Sequence, residues 1–153
     1  MEETQQSDSL EVLRRKLDLL LRTGQLLMES SADTSRIIRN MDRTAAYLGL
    51  PEKKLHIHIT YNMLMVNLSD KTHSFSKFQR CDRHGINMDA ISAISKLSWR
   101  AIKEDYTLDQ YEKELERIKN KKRNYNPWLT AIGAGLACGG FCVCLLYTSV
   151  AAD

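Results

Sequence analysis

The stretch that decides the fold lies at residues 128–150, WLTAIGAGLACGGFCVCLLYTSV, and contains no charged side chain. As a helix, it is long enough to cross the hydrocarbon core of a bilayer, which is roughly 30 Å thick. All 22 Lys and Arg residues, and every Asp and Glu except Asp153, precede Asn124. We therefore predict a soluble domain over residues 10–123, a linker at 124–127 and a transmembrane helix over residues 128–150.

A basic cluster stands directly before this apolar run. Residues 117–123 read RIKNKKR and contain no acidic side chain. Under the positive-inside rule, such a cluster lies on the cytoplasmic side of a membrane helix. We therefore expect a protein of the cell's inner membrane, with the soluble domain facing the cytoplasm and with lipid, rather than nucleic acid, as its partner.

The apolar run is rich in small residues. Ala131, Gly135 and Gly139 recur at every fourth position. This spacing lets two helices approach closely in lipid, where packing drives association. We expect these positions to pack against other transmembrane helices.

The first part of the soluble domain shows helical periodicity. Residues 1–9 are polar, lack the apolar core of a secretory signal peptide and are expected to be disordered. A first helix is predicted from Leu10 to about Met28, in which Gly24 would let another backbone come close. A second helix is predicted at 33–48 and would end at Gly49-Leu50-Pro51. Its predicted buried residues are Ile38, Met41, Ala45 and Leu48.

The pattern then changes to a period of two, as in strands. Strands are predicted at 55–60, with Leu55, Ile57 and Ile59 facing the core, at 62–68, and at 72–79, the last as a possible edge. Residues 69–71 would form a turn. Asn87 would cap a helix over residues 88–103, and Thr107-x-x-Gln110 has the form of a capping box that opens a fourth helix. The predicted fold class is α+β: two helices, a three-stranded antiparallel sheet, two helices and a C-terminal transmembrane helix.

Metal, cofactor and enzyme chemistry are weakly indicated. The four cysteines lack the spacing of a zinc site, and a cytoplasmic compartment keeps thiols reduced. His56 and His58 share one strand face, with His73 and His84 as conceivable further ligands, but no acidic or thiol side chain completes a metal set. No phosphate-binding loop is present. We therefore predict no metal, no cofactor and no enzymatic activity.

The segment Gly24–Arg36, GQLLMESSADTSR, followed by Ala45-Ala46 and Leu48-Gly49, resembles the soluble start of the threonine/serine exporter family. Members typically have a Ser-Gly-Ala-Glu-Thr-like stretch; here Ser30-Ser31 replaces Ser-Gly and Asp33 replaces Glu. The glycine-rich helix over residues 131–141 also looks like the family. The resemblance covers roughly residues 10–143, and the end from about Cys144 departs from it.

The resemblance implies a cytoplasmic domain that precedes about five membrane helices. It implies export of threonine, serine or a dicarboxylate such as succinate, driven by an ion gradient. On it, the chain is expected to be a truncated N-terminal part with a non-native tail from about residue 144. Ser31, Asp33, Thr34 and Arg36 match the family's motif and are the implied functional cluster for a small polar metabolite.

Two alternatives to a transporter stay open at this point. One is a single-pass, membrane-anchored binding or regulatory module. The other is a membrane-tethered hydrolase that uses Ser31 and a histidine, although helix capping accounts for the serines.

Overall fold

The computed structural model describes residues 2–69, 74–82, 85–121 and 126–150. The chain divides into two compact units, residues 1–120 and 121–153, and each is described by itself. The described residues form five α-helices and one three-stranded antiparallel sheet, so the predicted α+β class with a C-terminal helix is confirmed.

The elements follow the predicted order along the chain. They are α1 (Glu2–Glu29), α2 (Thr34–Tyr47), a 3₁₀ turn (Glu52–Lys54), β1 (Leu55–Ile59), β2 (Met63–Ser69), β3 (Ser74–Arg80), α3 (Met88–Lys103), α4 (Leu108–Asn120) and α5 (Pro127–Val150). Helix α1 begins at Glu2, within the segment that was expected to be disordered. Gln and Glu, which make up much of this segment, are good helix formers.

The predicted helix starts of α3 and α4 are confirmed by their side-chain hydrogen bonds. The Asn87 side chain accepts a bond from Ala90 N at 3.2 Å. At the start of α4, Thr107 N donates to Gln110 Oε1 at 2.9 Å, and Gln110 N donates back to Thr107 Oγ1 at 3.3 Å. These bonds satisfy backbone donors that have no partner within the helix.

The sheet has the order β1-β2-β3, which makes β3 an edge strand as expected. Leu55, Ile57 and Ile59 pack against the core, while His56 and His58 lie on the exposed face. In the central strand, Leu64, Val66 and Leu68 are buried. The predicted turn at 69–71 lies outside the described residues, apart from Ser69.

We call the first unit, residues 1–120, the soluble unit, after the domain expected from the sequence. Helix α1 lies at its centre and contacts α2, α3, α4, β2 and β3. Its buried leucines include Leu20 and Leu27. In α2, Met41, Ala45 and Leu48 are buried as predicted, but Ile38 is 38% exposed and Ile37 is buried in its place. The expectation for Ile38 was wrong because the buried stripe of α2 runs through residues 37, 41, 44 and 48, and position 38 is rotated away from it.

Gly24 is a point of close contact, although not the one that was expected. A Cβ atom built at Gly24 would overlap Leu64 Cδ2 and would lie 2.7 Å from Met41 Sδ. The approaching groups are therefore side chains of β2 and α2 rather than another backbone. A residue without a side chain lets α1 pack against both.

A buried hydroxyl cluster connects three of the helices. The Tyr111 hydroxyl of α4 lies within hydrogen-bond distance of Thr23 Oγ1 of α1, at 3.1 Å, and of Thr44 Oγ1 of α2, at 3.2 Å. Both threonines donate to a carbonyl of their own helix, Leu19 O and Asn40 O, so the single Tyr111 hydrogen is donated to one threonine or the other. The Tyr111 ring stacks on Tyr47 with ring centroids 5.2 Å apart. Burial raises the pKa of the Tyr111 phenol, so the hydroxyl stays neutral.

Candidate functional site

The motif that carries the family resemblance begins at the end of α1. Ala32 N donates to Leu27 O at 3.0 Å and Ser31 N donates to Met28 O at 2.9 Å, the two bonds of a Schellman motif. Ser31 occupies the left-handed position of this motif, with φ 59°. Glycine is the usual residue there, since it carries no Cβ. Ser31 thus stands where the resembling motif has Gly, and its backbone ends the helix.

The same motif ends α2, with glycine in the corresponding place. Leu50 N donates to Ala45 O at 2.9 Å, Gly49 N donates to Ala46 O at 3.1 Å, and Gly49 has φ 67°. The expected stop at Gly49 is therefore confirmed. The two helix ends differ in one respect: Ser31 carries a Cβ in a backbone region that disfavours it.

Asp33 and its neighbours start α2. The Asp33 carboxylate accepts bonds from Arg36 N at 3.1 Å and Ser35 Oγ at 2.6 Å, and Arg36 Nε lies 3.7 Å from Asp33 Oδ2. The Ser35 hydroxyl, followed by the Arg36 backbone N–H, lowers the pKa of Asp33. Thr34 follows as the first residue of α2 and is exposed. Helix capping therefore engages the polar groups of Asp33, while Ser31, Thr34 and Arg36 remain accessible.

Four helix ends meet at one end of the soluble unit. Gly85 N donates to Glu29 O at 2.9 Å and Asn87 N donates to Ser30 O at 3.1 Å, so the start of α3 lies beside the end of α1. The end of α4 is there too, because Glu29 and Lys119 line one cavity. The Ser31–Arg36 motif therefore lies at the end of the unit from which the chain continues after Asn120.

Charged side chains hold α1 and α4 side by side. Arg15 pairs with Asp109 and, at 3.0 Å, with Glu112. Further along both helices, Arg22 pairs with Glu112 at 2.8 Å and with Glu116 at 3.3 Å. The pairs follow both helices in the same direction, so α1 and α4 run parallel. Each pair is at least one-third exposed and contributes little alone, but together they fix the register of the two helices.

A groove opens between the last turns of α1 and α4, beyond the ion pairs. We call it the α1–α4 groove, and its volume is about 270 Å³. Its lining residues are Arg22, Gln25, Leu26 and Glu29 from α1, and Leu115, Glu116 and Lys119 from α4. Sequence reasoning missed this groove because its charged residues had the spacing of a solvated helix face. The only local signal was the recurrence of Arg22, Gln25 and Glu29 on one side of α1.

The histidines and Cys81 are not brought into such a site. His56 and His58 are exposed on β1, while His73 and His84 lie outside the described residues. Within the described ranges, no group of three or more His, Cys, Asp or Glu residues is placed to hold a metal ion. Among the described residues, Ser31 makes no hydrogen bond to His56 or His58. Cys81 is fully buried beside Met28 Sδ, at 3.8 Å, and burial raises its pKa to about 11.

Helix α5 belongs to the second unit. Pro127–Thr148 is long and apolar enough to cross a membrane, and no part of it is buried inside the structure. The predicted packing positions Ala131, Gly135 and Gly139 are exposed, and a Cβ at either glycine would have open space around it. Nothing on the described helix itself covers this small-residue stripe.

Comparison with known protein families matches the model described as "Putative threonine/serine exporter" over residues 18–151. The chain belongs to this family. The match spans most of the soluble unit and all of α5, so the family assignment made from residues 24–49 and 131–141 is confirmed. It also continues past Cys144 to residue 151, whereas the resemblance had been expected to end at about residue 143. No curated protein and no solved structure matches the chain.

The family assignment has direct consequences for the class of protein. The family is one of transporters rather than of enzymes. A transporter family together with a candidate membrane span identifies a membrane protein of the threonine/serine exporter type.

Proposed function

We propose that this chain is the N-terminal part of a secondary transporter that exports small polar metabolites from the cytoplasm. Threonine and serine are the favoured substrates, with a dicarboxylate such as succinate as the second class. The observation that carries the proposal is a single family match extending from residue 18 to residue 151, through both units. A soluble module with an unrelated anchor would give no reason for the match to continue through α5.

The proposed orientation places residues 2–120 in the cytoplasm. Its support is the charge pattern: Arg117, Lys119 and Lys121 belong to the basic cluster that precedes α5, and α5 itself carries no charge. The family-motif residues lie at the end of the unit where the chain continues towards this cluster. Among them, Thr34 and Arg36 have exposed polar groups for a metabolite or for neighbouring membrane helices, whereas Ser31 and Asp33 act in the helix ends.

The proposal also involves partner helices. One membrane span is described, whereas transport through a bilayer needs a polar path enclosed by several helices. We propose that the small-residue stripe of Ala131, Gly135 and Gly139 packs against further transmembrane helices of the same or a partner subunit.

The test is an efflux assay in cells that express the gene together with its native downstream DNA. Cells are loaded with labelled threonine, serine or succinate, and the external label is followed with time. We expect faster efflux of at least one amino acid and loss of this effect when residues 127–150 are deleted. Unchanged efflux of all three compounds would contradict the transporter proposal.

A membrane-anchored binding module is the second candidate, and the observation that favours it is the α1–α4 groove. A stop codon after Asp153, in genomic DNA, together with unchanged efflux, would select it. The hydrolase alternative lacks such an observation, because the backbone of Ser31 ends α1 and its hydroxyl has no histidine partner in the described ranges.

A further inference from the structure

The α1–α4 groove has a balanced charge. Arg22 and Lys119 supply two positive groups, and Glu29 and Glu116 supply two negative groups. Gln25 adds an uncharged donor and acceptor, and Leu26 and Leu115 supply apolar surface. Arg22 and Glu116 already pair with each other, so Lys119 and Glu29 are the charges left for a ligand. A dicarboxylate would place its second carboxylate near Glu29, and a diamine would place its second ammonium group near Lys119, each an unfavourable like-charge contact. A ligand with one group of each sign meets no such penalty.

The contacts within the groove show which groups are available to a ligand. Arg22 is engaged by Glu112 and Glu116, at 2.8 and 3.3 Å, so its charge is already paired. Lys119 is exposed and pairs with no acidic residue of the described ranges. Glu29 Oε1 accepts one bond, from Gln25 Nε2 at 2.9 Å. Lys119 is thus available for a carboxylate, and Glu29 keeps acceptor capacity for an ammonium group.

The size of the groove also limits the ligand. Ligand pockets in proteins commonly begin at about 300 Å³. A groove of about 270 Å³ is therefore suited to a small metabolite rather than to a nucleotide or a peptide.

We propose that the α1–α4 groove binds a free, small, zwitterionic α-amino acid, with the carboxylate at Lys119 and the ammonium group at Glu29. This inference rests on the proposed function, because it assigns the exported class of substrate to a site on the soluble unit. It also separates the two substrate classes left open above: the groove takes amino acids and excludes dicarboxylates. A ligand bound here contacts both α1 and α4, the last helix before α5 along the chain.

The test is isothermal titration calorimetry on the full chain in detergent micelles, with L-serine, L-threonine, succinate and putrescine as probes. We expect binding of the two amino acids with a Kd of about 1 mM or tighter, and no binding of succinate or putrescine. In Lys119→Glu, amino-acid affinity should fall by about tenfold or more, because a charged hydrogen-bond partner is replaced by a repelling one. Glu29→Gln should weaken it in the same way.

Lys113→Glu is the matched control. Lys113 is an exposed lysine on the same helix, outside the lining of the groove, so the variant makes the same charge change and should keep its affinity. Lys119 is exposed near the end of α4, so its substitution leaves the core intact, and circular dichroism checks the fold of each variant. Binding of succinate, or equal affinity in Lys119→Glu and the parent chain, would overturn the proposal.

The two proposals fail separately. Absence of any heat with serine and threonine, together with normal efflux in cells, would overturn the groove assignment and leave export standing. Loss of efflux with intact binding would leave a sensing site on a protein that does not export.

Discussion

Apolar side chains are buried in the soluble unit but exposed in α5. In the soluble unit, Leu20, Leu27 and Leu97 are fully buried, whereas in α5 Leu136 is 73% exposed and Val143 is 66% exposed. The soluble unit removes its apolar surface from water through its own packing, which is the main source of its stability. Helix α5 carries its apolar side chains on its own surface and is a candidate membrane span, so we expect lipid and other helices to supply its apolar surroundings. The soluble unit therefore buries its own apolar residues, whereas α5 needs an apolar environment from outside.

Removal of the Tyr111 side chain is the strongest challenge to the idea that the soluble unit has a core of its own. Tyr111 is fully buried and joins α4 to α1 and α2 through its ring and its hydroxyl. Tyr111→Ala should lower the free energy of unfolding by about 4 kcal/mol, through lost contacts and a cavity. Chemical denaturation followed by circular dichroism measures the change.

Tyr111→Phe is the matched control for that experiment. It removes only the hydroxyl, and both threonines keep a helix carbonyl as acceptor, so the loss should be about 1 kcal/mol. Equal effects of the two substitutions would mean that the ring does not pack as described.

A charge in the middle of α5 tests the other half of the comparison. Leu136→Arg should disfavour membrane insertion by about 3 kcal/mol, because an arginine at the centre of a bilayer loses its hydration. The readout is the fraction of the chain that stays in the membrane after alkaline extraction. Ser92→Arg, at an exposed position of α3, should leave this fraction unchanged. Full retention of Leu136→Arg would show that α5 is not surrounded by lipid.

A side chain at Gly24 tests how tightly the soluble unit is packed. Its neighbours Met41 and Leu64 are fully buried, so they have little room to move. Gly24→Val should cost about 2 kcal/mol through overpacking, even though glycine is a poor helix former. Gly85→Val serves as control, since nothing lies within 4 Å of a Cβ at Gly85. A stabilised Gly24→Val variant, by thermal denaturation, would contradict the contact.

The smallest expected effect compares the two helix ends of the soluble unit. Ser31→Gly should stabilise it by about 1 kcal/mol, because glycine accepts the left-handed backbone without a Cβ clash. Gly49→Ser places the opposite change in the same motif and should destabilise by a similar amount. Urea denaturation of both variants is the measurement. If Ser31→Gly were less stable than the parent chain while Gly49→Ser were as stable as the parent chain, the Ser31 hydroxyl would have a role of its own.

Much of the fold was predictable because its signals are local. Alternation over residues 55–59 and the capping residues Asn87 and Thr107 each act within a few positions along the chain. The position of Ile38 was not predictable in this way. Ile37 and Ile38 are adjacent and equally apolar, and which of them is buried depends on how α2 rotates against α1 and α3.

Only part of the candidate site could likewise be predicted from the sequence. Residues Ser31–Arg36 could be selected from the sequence, since the family resemblance lies in a contiguous stretch. Their structural roles could not, because the left-handed backbone of Ser31 becomes visible only with the hydrogen bonds to Met28 and Leu27. The α1–α4 groove was beyond sequence reasoning altogether. Glu29 and Lys119 are far apart in the chain and face one space only because α1 and α4 pack in parallel.

The sequence by itself determined the apolar, uncharged helix α5, the α+β order of elements and membership of the exporter family. These follow from composition, periodicity and contiguous motifs, each of which acts over a short length of chain. The tertiary structure alone decided that Gly24 receives the side chains of Met41 and Leu64, and that the charged ends of α1 and α4 form a groove. Such pairings depend on packing between distant segments, where the lowest free energy is set by shape and burial rather than by local pattern.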